Sequence, residues 1–320
     1  MALGPLVEVK DLVVRFPIGR GQAIRPVDQV SFSIEAGEVL SLVGESGSGK
    51  STIAKALVRM VEPSEGQIIV NQRDVTHVRG RRITQYRREV QMVFQDPFGS
   101  LNPVHTVERH LAYPLRRHKV SGQEGVSRRI DKLLEQVGLT PVSETRHKFP
   151  HELSGGQRQR VAIARALAVN PTFVVADEPI SMLDVSIRAG VLKLIGELRD
   201  NLNLAFLYIT HDLSSARYIG NRIMVLYAGC VMELAPSAEL VRRPMHPYTR
   251  LLLAATPGNR DRGPLPETSI SAPNLVEGRQ GCQFANRCPF VTDVCTQTKP
   301  PLMELDKGHF VACHHPQATA

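Results

Sequence analysis

Cysteine is scarce, with five in 320 residues, and long apolar runs are missing altogether. The richest apolar stretches, Leu204 to Ile209 and Leu251 to Ala255, fall far short of the roughly 20 residues that a bilayer-crossing helix needs. Spanning helices are therefore excluded, and any membrane role is peripheral. So few cysteines also exclude a disulfide-dense miniprotein, while 42% hydrophobic and 22% charged residues exclude disorder and collagen-like repeats. The opening MALGPLVEVKD lacks the basic stretch and apolar core of a secretory leader, so a cytosolic protein is expected. No internal repeat is present.

What is there begins with charge. Residues 73–129 hold twelve Lys/Arg against five Asp/Glu and so carry +7 of the net +8. That segment reads as solvated helix surface ahead of a site for nucleic acid or anionic lipid. Length suits one large domain with an appendage, or two domains. Period-2 patterning predicts strands at Val7 to Phe16, Val30 to Ile34 and Glu38 to Val43. Helices are predicted at Lys50 to Val61, Gly125 to Val137, Ser154 to Val169 and Val185 to Leu198. Between them, Thr172 to Ala176, Leu204 to Ile209 and Ile223 to Leu226 have the length and composition of fully buried strands. The alternation implies an α/β core. Residues from about 98 to 160 show helical patterns and no strand, which predicts a helical insertion. From Pro236 to Pro316 there are eleven prolines and four of the five cysteines, a loop-rich appendage.

Gly44-Glu-Ser-Gly-Ser-Gly-Lys-Ser51 lies between a predicted strand and a predicted helix, the context that gives GxxxxGK[ST] its meaning. Gly44, Gly47 and Gly49 let the backbone turn tightly, so that amides of a loop running through Ser46 to Thr52 face a polyphosphate. The helix N-terminus adds a favourable dipole, Lys50 reaches the β/γ-phosphates, and Ser51 ligates Mg²⁺. A nucleoside triphosphate is the expected ligand. The run Thr172 to Ala176 ends in Asp177-Glu178, two carboxylates at the carboxyl end of a buried strand, where α/β folds bind ligands. Asp177 suits holding Mg²⁺, and Glu178 suits orienting or deprotonating an attacking water.

Leu153-Ser-Gly-Gly-Gln157, twenty residues before Asp177, resembles the signature of the ATP-binding-cassette (ABC) family. Ser154 is a good N-cap, Gly155 and Gly156 permit close approach, and the helix after Gln157 aims its positive end outward, a second anion site. The resemblance implies a head-to-tail dimer in which each signature closes on the partner's γ-phosphate. Further family positions follow in order. Gln95 in VFQDP resembles the glutamine that touches Mg²⁺ and water and reports to a transmembrane partner. Ser181-Met-Leu-Asp184 resembles the D-loop, departing from it at Met182, and His211 in ITHDL resembles the switch histidine on the γ-phosphate. Phe16 sits where an aromatic would stack on adenine. The resemblance thus implies an α/β, RecA-like phosphate-loop NTPase core with a helical signature subdomain. It implies an ABC domain over 1–240 and catalytic roles for Glu178, His211 and Lys50.

Arg243-Pro-Met-His-Pro-Tyr-Thr-Arg250, followed by LLLAATP, resembles the start of the carboxyl extension, here 241–320, in ATPases of dipeptide and oligopeptide importers. Cys282, Cys288, Cys295 and Cys313 are separated by five, six and seventeen residues, and disulfides are disfavoured in a cytosolic chain. Four thiolates suit Zn²⁺ or a [4Fe–4S] cluster; no CxxC pair is present, and spacing alone leaves the metal, or its absence, open. The similar tail of peptide-importer ATPases, with GCQFANRCPF and VACHHP at matching places, implies the iron–sulfur cluster. It would staple a segment with too few apolar residues for its own core. His309, His314 and His315 are alternative ligands nearby, and Cys230 reads as a buried thiol.

The expectation is the ATP-hydrolysing subunit of an importer at the cytoplasmic face of the cell membrane, using ATP and Mg²⁺. Its implied partners are two permease subunits, a second ABC ATPase chain and, indirectly, an extracytoplasmic binding protein; no nucleic acid is expected. Di- or oligopeptides are the implied cargo. The alternatives are import of oligosaccharides or nickel, or a soluble ABC ATPase acting on nucleic acid or ribosomes. Only about a hundred residues separate the phosphate loop from the signature, too few for the long coiled coils of DNA-repair members. A non-hydrolysing regulatory module would lack Glu178 or His211.

Overall fold

The computed structural model describes residues 4–19, 22–120, 125–256, 275–278 and 280–316. They fall into two compact units, one of residues 1–77 with 208–320 and one of residues 78–207. The first opens with β1 (Val7–Gly19) and β2 (Gln22–Ile34), antiparallel from Val7 opposite Ile34 to Gly19 opposite Gln22. β3 (Val39–Val43), buried at every residue, runs into the phosphate loop and α1 (Lys50–Leu57). β4 (Glu65–Val70) and β5 (Arg73–Asp74) complete an antiparallel sheet of order β2-β1-β4-β5. α1 stops short of the predicted Val61, because Arg59 takes a left-handed φ of 58° that a helix cannot continue through.

The second unit contains α2 (Arg81–Glu89), β6 (Val90–Val93), α3 (Pro97–Ser100), α4 (Val107–Arg117), α5 (Gly125–Gln136), α6 (Val142–Thr145), α7 (Gly155–Leu167), β7 (Phe173–Asp177) and α8 (Val185–Leu202). β6 and β7 pair in parallel, from Val90 opposite Phe173 to Val93 opposite Ala176. Among the described residues from 98 to 160, every regular element is a helix. Ile130, Leu133, Leu134 and Val137 recur at three- and four-residue spacing and are fully buried, which fixes the inner face of α5.

β8 (Ala205–Thr210) carries the chain back into the first unit. There follow α9 (Leu213–Ile219), β9 (Arg222–Tyr227), β10 (Cys230–Pro236), α10 (Ser237–Arg242), α11 (Pro247–Ala254), α12 (Asp293–Gln297), β11 (Met303–Asp306) and β12 (His309–Val311). β9 lies parallel to β3, with Leu40 opposite Arg222 and Val43 opposite Val225. Ala228 and Gly229, both at positive φ, turn the chain into an antiparallel β9–β10 hairpin. β12 pairs with β10, and β11 with β12, so two strands of the tail extend the sheet that holds β3, β9 and β10.

The predicted domain boundary at 240/241 falls inside α10, within the first unit. The tail, with too few apolar residues for a core of its own as the sequence predicts, packs into a core shared with β9 and β10. Tyr248, Leu253, Cys282, Phe284, Ala285 and Cys295 join Val225, Tyr227, Met232 and Leu240 in one buried cluster. A count of apolar residues in the tail misses partners supplied by β9 and β10. The tail's residues 257–274, 279 and 317–320 lie outside the described residues. Among the described residues, no helix is long and apolar enough to cross a membrane.

Candidate nucleotide site

The loop after β3 turns on Gly49, the N-cap of α1, whose φ is +107°. A Cβ there would stand 1.9 Å from the Pro26 carbonyl oxygen, so only glycine fits. The first turn of α1 carries no acidic residue, which leaves its dipole for an outside anion. Lys50 is only 5% exposed and folds back into the loop, where Nζ donates to the carbonyl oxygens of Gly44 (2.7 Å) and Glu45 (2.9 Å). Ser46, Gly47 and Ser51 are exposed and Thr52 half-buried, while Gly44 lies beneath them at the end of β3.

Elsewhere in the first unit, Phe16 is a half-open aromatic on β1, opposite Ile24. His211 is exposed between β8 and α9. Its neighbour Asp212 fixes that turn, accepting at its carboxylate from the backbone amides of Ser214 (2.9 Å) and Ser215 (3.1 Å). Two further residues hold the phosphate loop and were not found from sequence. The Tyr248 hydroxyl accepts from the Glu45 amide (3.0 Å), and Arg287 donates to both carboxylate oxygens of Glu45 (2.8 and 3.0 Å). Their sequence signals, the HPYT run and adjacency to Cys288, say nothing of what they touch.

In the second unit, β7 ends at Asp177, 5% exposed, and the chain then takes a left-handed turn at Glu178, φ +44°. For a residue with a Cβ that costs about 1–2 kcal/mol, offset here by Ser181, whose amide (3.2 Å) and hydroxyl (3.0 Å) both donate to the Glu178 carbonyl. The turn brings the Glu178 carboxylate to Gln95, whose Nε2 donates to Oε2 at 3.0 Å. Asp184 precedes α8, and its carbonyl accepts from the amides of Ile187 and Arg188, both at 3.0 Å. Met182 between them is exposed.

The signature forms a reciprocal cap on α7. Ser154 Oγ accepts from the Gln157 amide (3.3 Å), and Gln157 Oε1 accepts from the Ser154 amide (2.9 Å). Gly155 follows in the first turn, and at Gly156 a Cβ would stand 2.5 Å from Ile187 Cγ2, so the glycine lets α8 approach. This cap fixes the start of α7, with Ser154 exposed at its head.

Cys282, Cys288, Cys295 and Cys313, none in a disulfide, line one cavity of about 10 Å³ with His246, His314 and His315. Burial pushes the Cys282 and Cys288 thiols up, and that of Cys313 to about 11. The donor set suits a soft-ligand centre. As thiols, however, they are not at ligand spacing around one ion: no group of three or more Cys, His, Asp or Glu is, among the described residues. The three histidines named from the sequence as alternative ligands, His309, His314 and His315, already have protein partners. His309 Nε2 lies 2.7 Å from Glu233 Oε1, His314 Nε2 2.8 Å from the Thr298 carbonyl oxygen, and His315 Nε2 2.8 Å from Thr292 Oγ1. Cys230 is a buried thiol, pushed up to about 12 by burial.

Comparison with known proteins gives this geometry its family. Residues 27–181 match the family described as ABC transporter, and residues 232–295 the oligopeptide/dipeptide transporter C-terminal region. The chain is 42% identical to the oligopeptide transport ATP-binding protein AppF of Bacillus subtilis over 97% of each chain. It is 44% identical to a putative peptide import ATP-binding protein of Brucella ovis, again over 97% of each. Among solved structures it resembles the ATP-binding cassette MJ0796 in a dimeric post-hydrolysis state bound to ADP and Pi. The TM-score there is 0.65 at 31% identity, covering 72% of this chain and 98% of that one. With cbiO1 from Clostridium perfringens, part of the cbiONQ transporter complex, the TM-score is 0.67 at 26% identity, covering 74% and 91%. A phosphate loop, an aspartate–glutamate strand end, a capped signature helix and relatives aligned from end to end place this chain in the ABC transporter family, as an ABC-type ATPase carrying the oligopeptide/dipeptide transporter C-terminal region.

Proposed function

We propose that this chain couples ATP hydrolysis to the uptake of di- or oligopeptides through a membrane permease pair. What carries the reading is that relatives named for peptide transport align over 97% of this chain, cassette and cysteine-bearing tail alike. In this reading residues 1–240 are the cassette and 241–320 its extension. Lys50 and the amides of Gly44 to Thr52 hold the phosphates, Ser51, Gln95 and Asp177 hold Mg²⁺, and Phe16 stacks on adenine. Glu178 orients the attacking water and His211 contacts the γ-phosphate. Ser154 to Gln157 and Asp184 complete the nucleotide site of a second ABC chain. The protein works at the cytoplasmic face of the membrane, with the cargo delivered by an extracytoplasmic binding protein.

Two supports bear on chemistry. The Gln95–Glu178 hydrogen bond joins the carboxylate assigned to water with the residue assigned to report to the permease. The resemblance of the tail to that of peptide-importer ATPases supports a [4Fe–4S] cluster on Cys282, Cys288, Cys295 and Cys313, whose thiols line one cavity of about 10 Å³ but do not stand at ligand spacing. Such a cluster would cross-link residues 282 to 313 of the tail and would supply no step in hydrolysis.

Uptake of radiolabelled tri- and tetrapeptides by cells lacking this gene, complemented with wild type or Glu178→Gln, tests the reading. Uptake should return with wild type alone. Unaltered peptide uptake in the deletion strain, with lost uptake of an oligosaccharide or of nickel, would replace the cargo; loss of none would remove transport.

A further inference from the structure

Residue 45 is held from three sides. Its amide donates to the Tyr248 hydroxyl, its carbonyl accepts from Lys50 Nζ, and its carboxylate takes a two-pronged contact from Arg287. Two of these three holds come from the tail. Arg287 is a confined cation, its side chain 12% exposed and its guanidinium 5.6 Å from the Tyr227 ring centre and 5.8 Å from that of Phe284. Tyr227, Tyr248 and Phe284 pack edge-on or tilted against one another at 4.7–5.3 Å, forming a rigid seat for that cation. Proximity to the Glu45 carboxylate drives the Arg287 proton affinity well above its ordinary value.

The chemistry of the loop makes this pair more than a surface salt bridge. A glutamate second in a polyphosphate-binding loop places a negative charge beside the site of an anion carrying several. A fixed cation on that carboxylate cancels the adverse field, and a planar, two-pronged guanidinium suits it. We propose that the tail is a working part of the nucleotide site: Arg287 neutralises Glu45 and, with Tyr248, fixes the start of the phosphate loop. Arg287 is thus a positioning residue for Mg²⁺-ATP, acting through Glu45. The inference rests on the reading of Gly44 to Thr52 as the phosphate site.

The test uses the full-length chain, with the dissociation constant of ATP in excess Mg²⁺ measured by calorimetric titration and kcat and KM by steady-state hydrolysis. Arg287→Gln should weaken binding and raise KM about tenfold while kcat stays within about twofold. Glu45→Gln should bind at least as tightly as wild type, because Arg287 is then left to face the phosphates. The double variant Glu45→Gln/Arg287→Gln should recover most of the affinity lost by Arg287→Gln, a non-additivity that loosened packing does not produce. Glu277→Gln serves as control, since it breaks another tie of the tail, to Arg25 at 2.6 Å, without touching the loop, and should leave KM unchanged. Equal losses in the single and double variants, a tenfold loss in Glu45→Gln, or a loss in Glu277→Gln matching that of Arg287→Gln would each overturn the proposal. Full ATP binding by Lys50→Ala would instead overturn the phosphate-site reading on which it rests.

Discussion

Gln95 and Glu178, 83 residues apart in sequence, meet through a single hydrogen bond of 3.0 Å from the glutamine amide to a carboxylate oxygen. The bond depends on the left-handed backbone at Glu178, which swings the side chain off the strand line. It gives the strand-end glutamate a fixed orientation.

Glu178→Gln should therefore keep Mg²⁺-ATP affinity within about twofold of wild type while turnover falls by roughly 10²–10³-fold. The glutamine is isosteric but cannot accept a proton, and Lys50 is untouched. Multiple-turnover phosphate release in the reconstituted transporter measures it; wild-type turnover would remove Glu178 from its assigned role.

Gly49→Ala should abolish ATP binding and cost more than about 2 kcal/mol of stability, since its Cβ would meet the Pro26 carbonyl oxygen at 1.9 Å from a backbone at φ +107°. Thermal unfolding and ATP titration of the purified chain check both. A variant with wild-type melting and affinity would show that the loop does not need this conformation.

Mixed dimers test the role given to the signature. When a Lys50→Ala chain is paired with a Ser154→Arg chain, a head-to-tail arrangement places both lesions in one composite site and spares the other. About half of wild-type single-turnover hydrolysis should survive. Complete loss would mean that each chain's signature serves its own nucleotide.

Anaerobically purified protein should be brown and hold about four irons per chain, and Cys288→Ser should lose both colour and tail protease resistance. Stoichiometric zinc without iron would defeat the cluster while leaving a metal-held tail. A protease-resistant tail after replacement of all four cysteines would show that the shared aromatic core alone holds it.

His110 gives a pH dependence. Burial, with help from Arg165 and His105, lowers its proton affinity in the native state. The native protein then binds fewer protons here than the unfolded chain, so the contribution to stability is complete above about pH 6.5 and is lost as pH falls below it. Urea midpoints at about pH 7.5 and 5.5 should differ less in His110→Gln than in wild type; an unchanged difference would exclude His110 as a source of acid sensitivity.

Sequence alone determined the nucleotide chemistry, because that chemistry sits in short contiguous runs. A Gly-rich loop between a strand and a helix, a Ser-Gly-Gly-Gln cap and an acidic strand end each set a local backbone geometry, which spacing reports. The buried strands β3, β7 and β8 were legible for the same reason, as apolar runs of strand length. Not legible was β10, whose buried Glu233 interrupts an apolar run and is satisfied by the amides of Met245 and His246 and by His309. The burial of the tail was equally hidden, since its partners Tyr227 and Met232 lie upstream in β9 and β10. Tertiary structure alone decided that Arg287 grips Glu45, 242 residues away, and that four unevenly spaced cysteines share one cavity. Long-range ion pairs and cavity linings follow from how sheets stack and loops return, and no local periodicity encodes them.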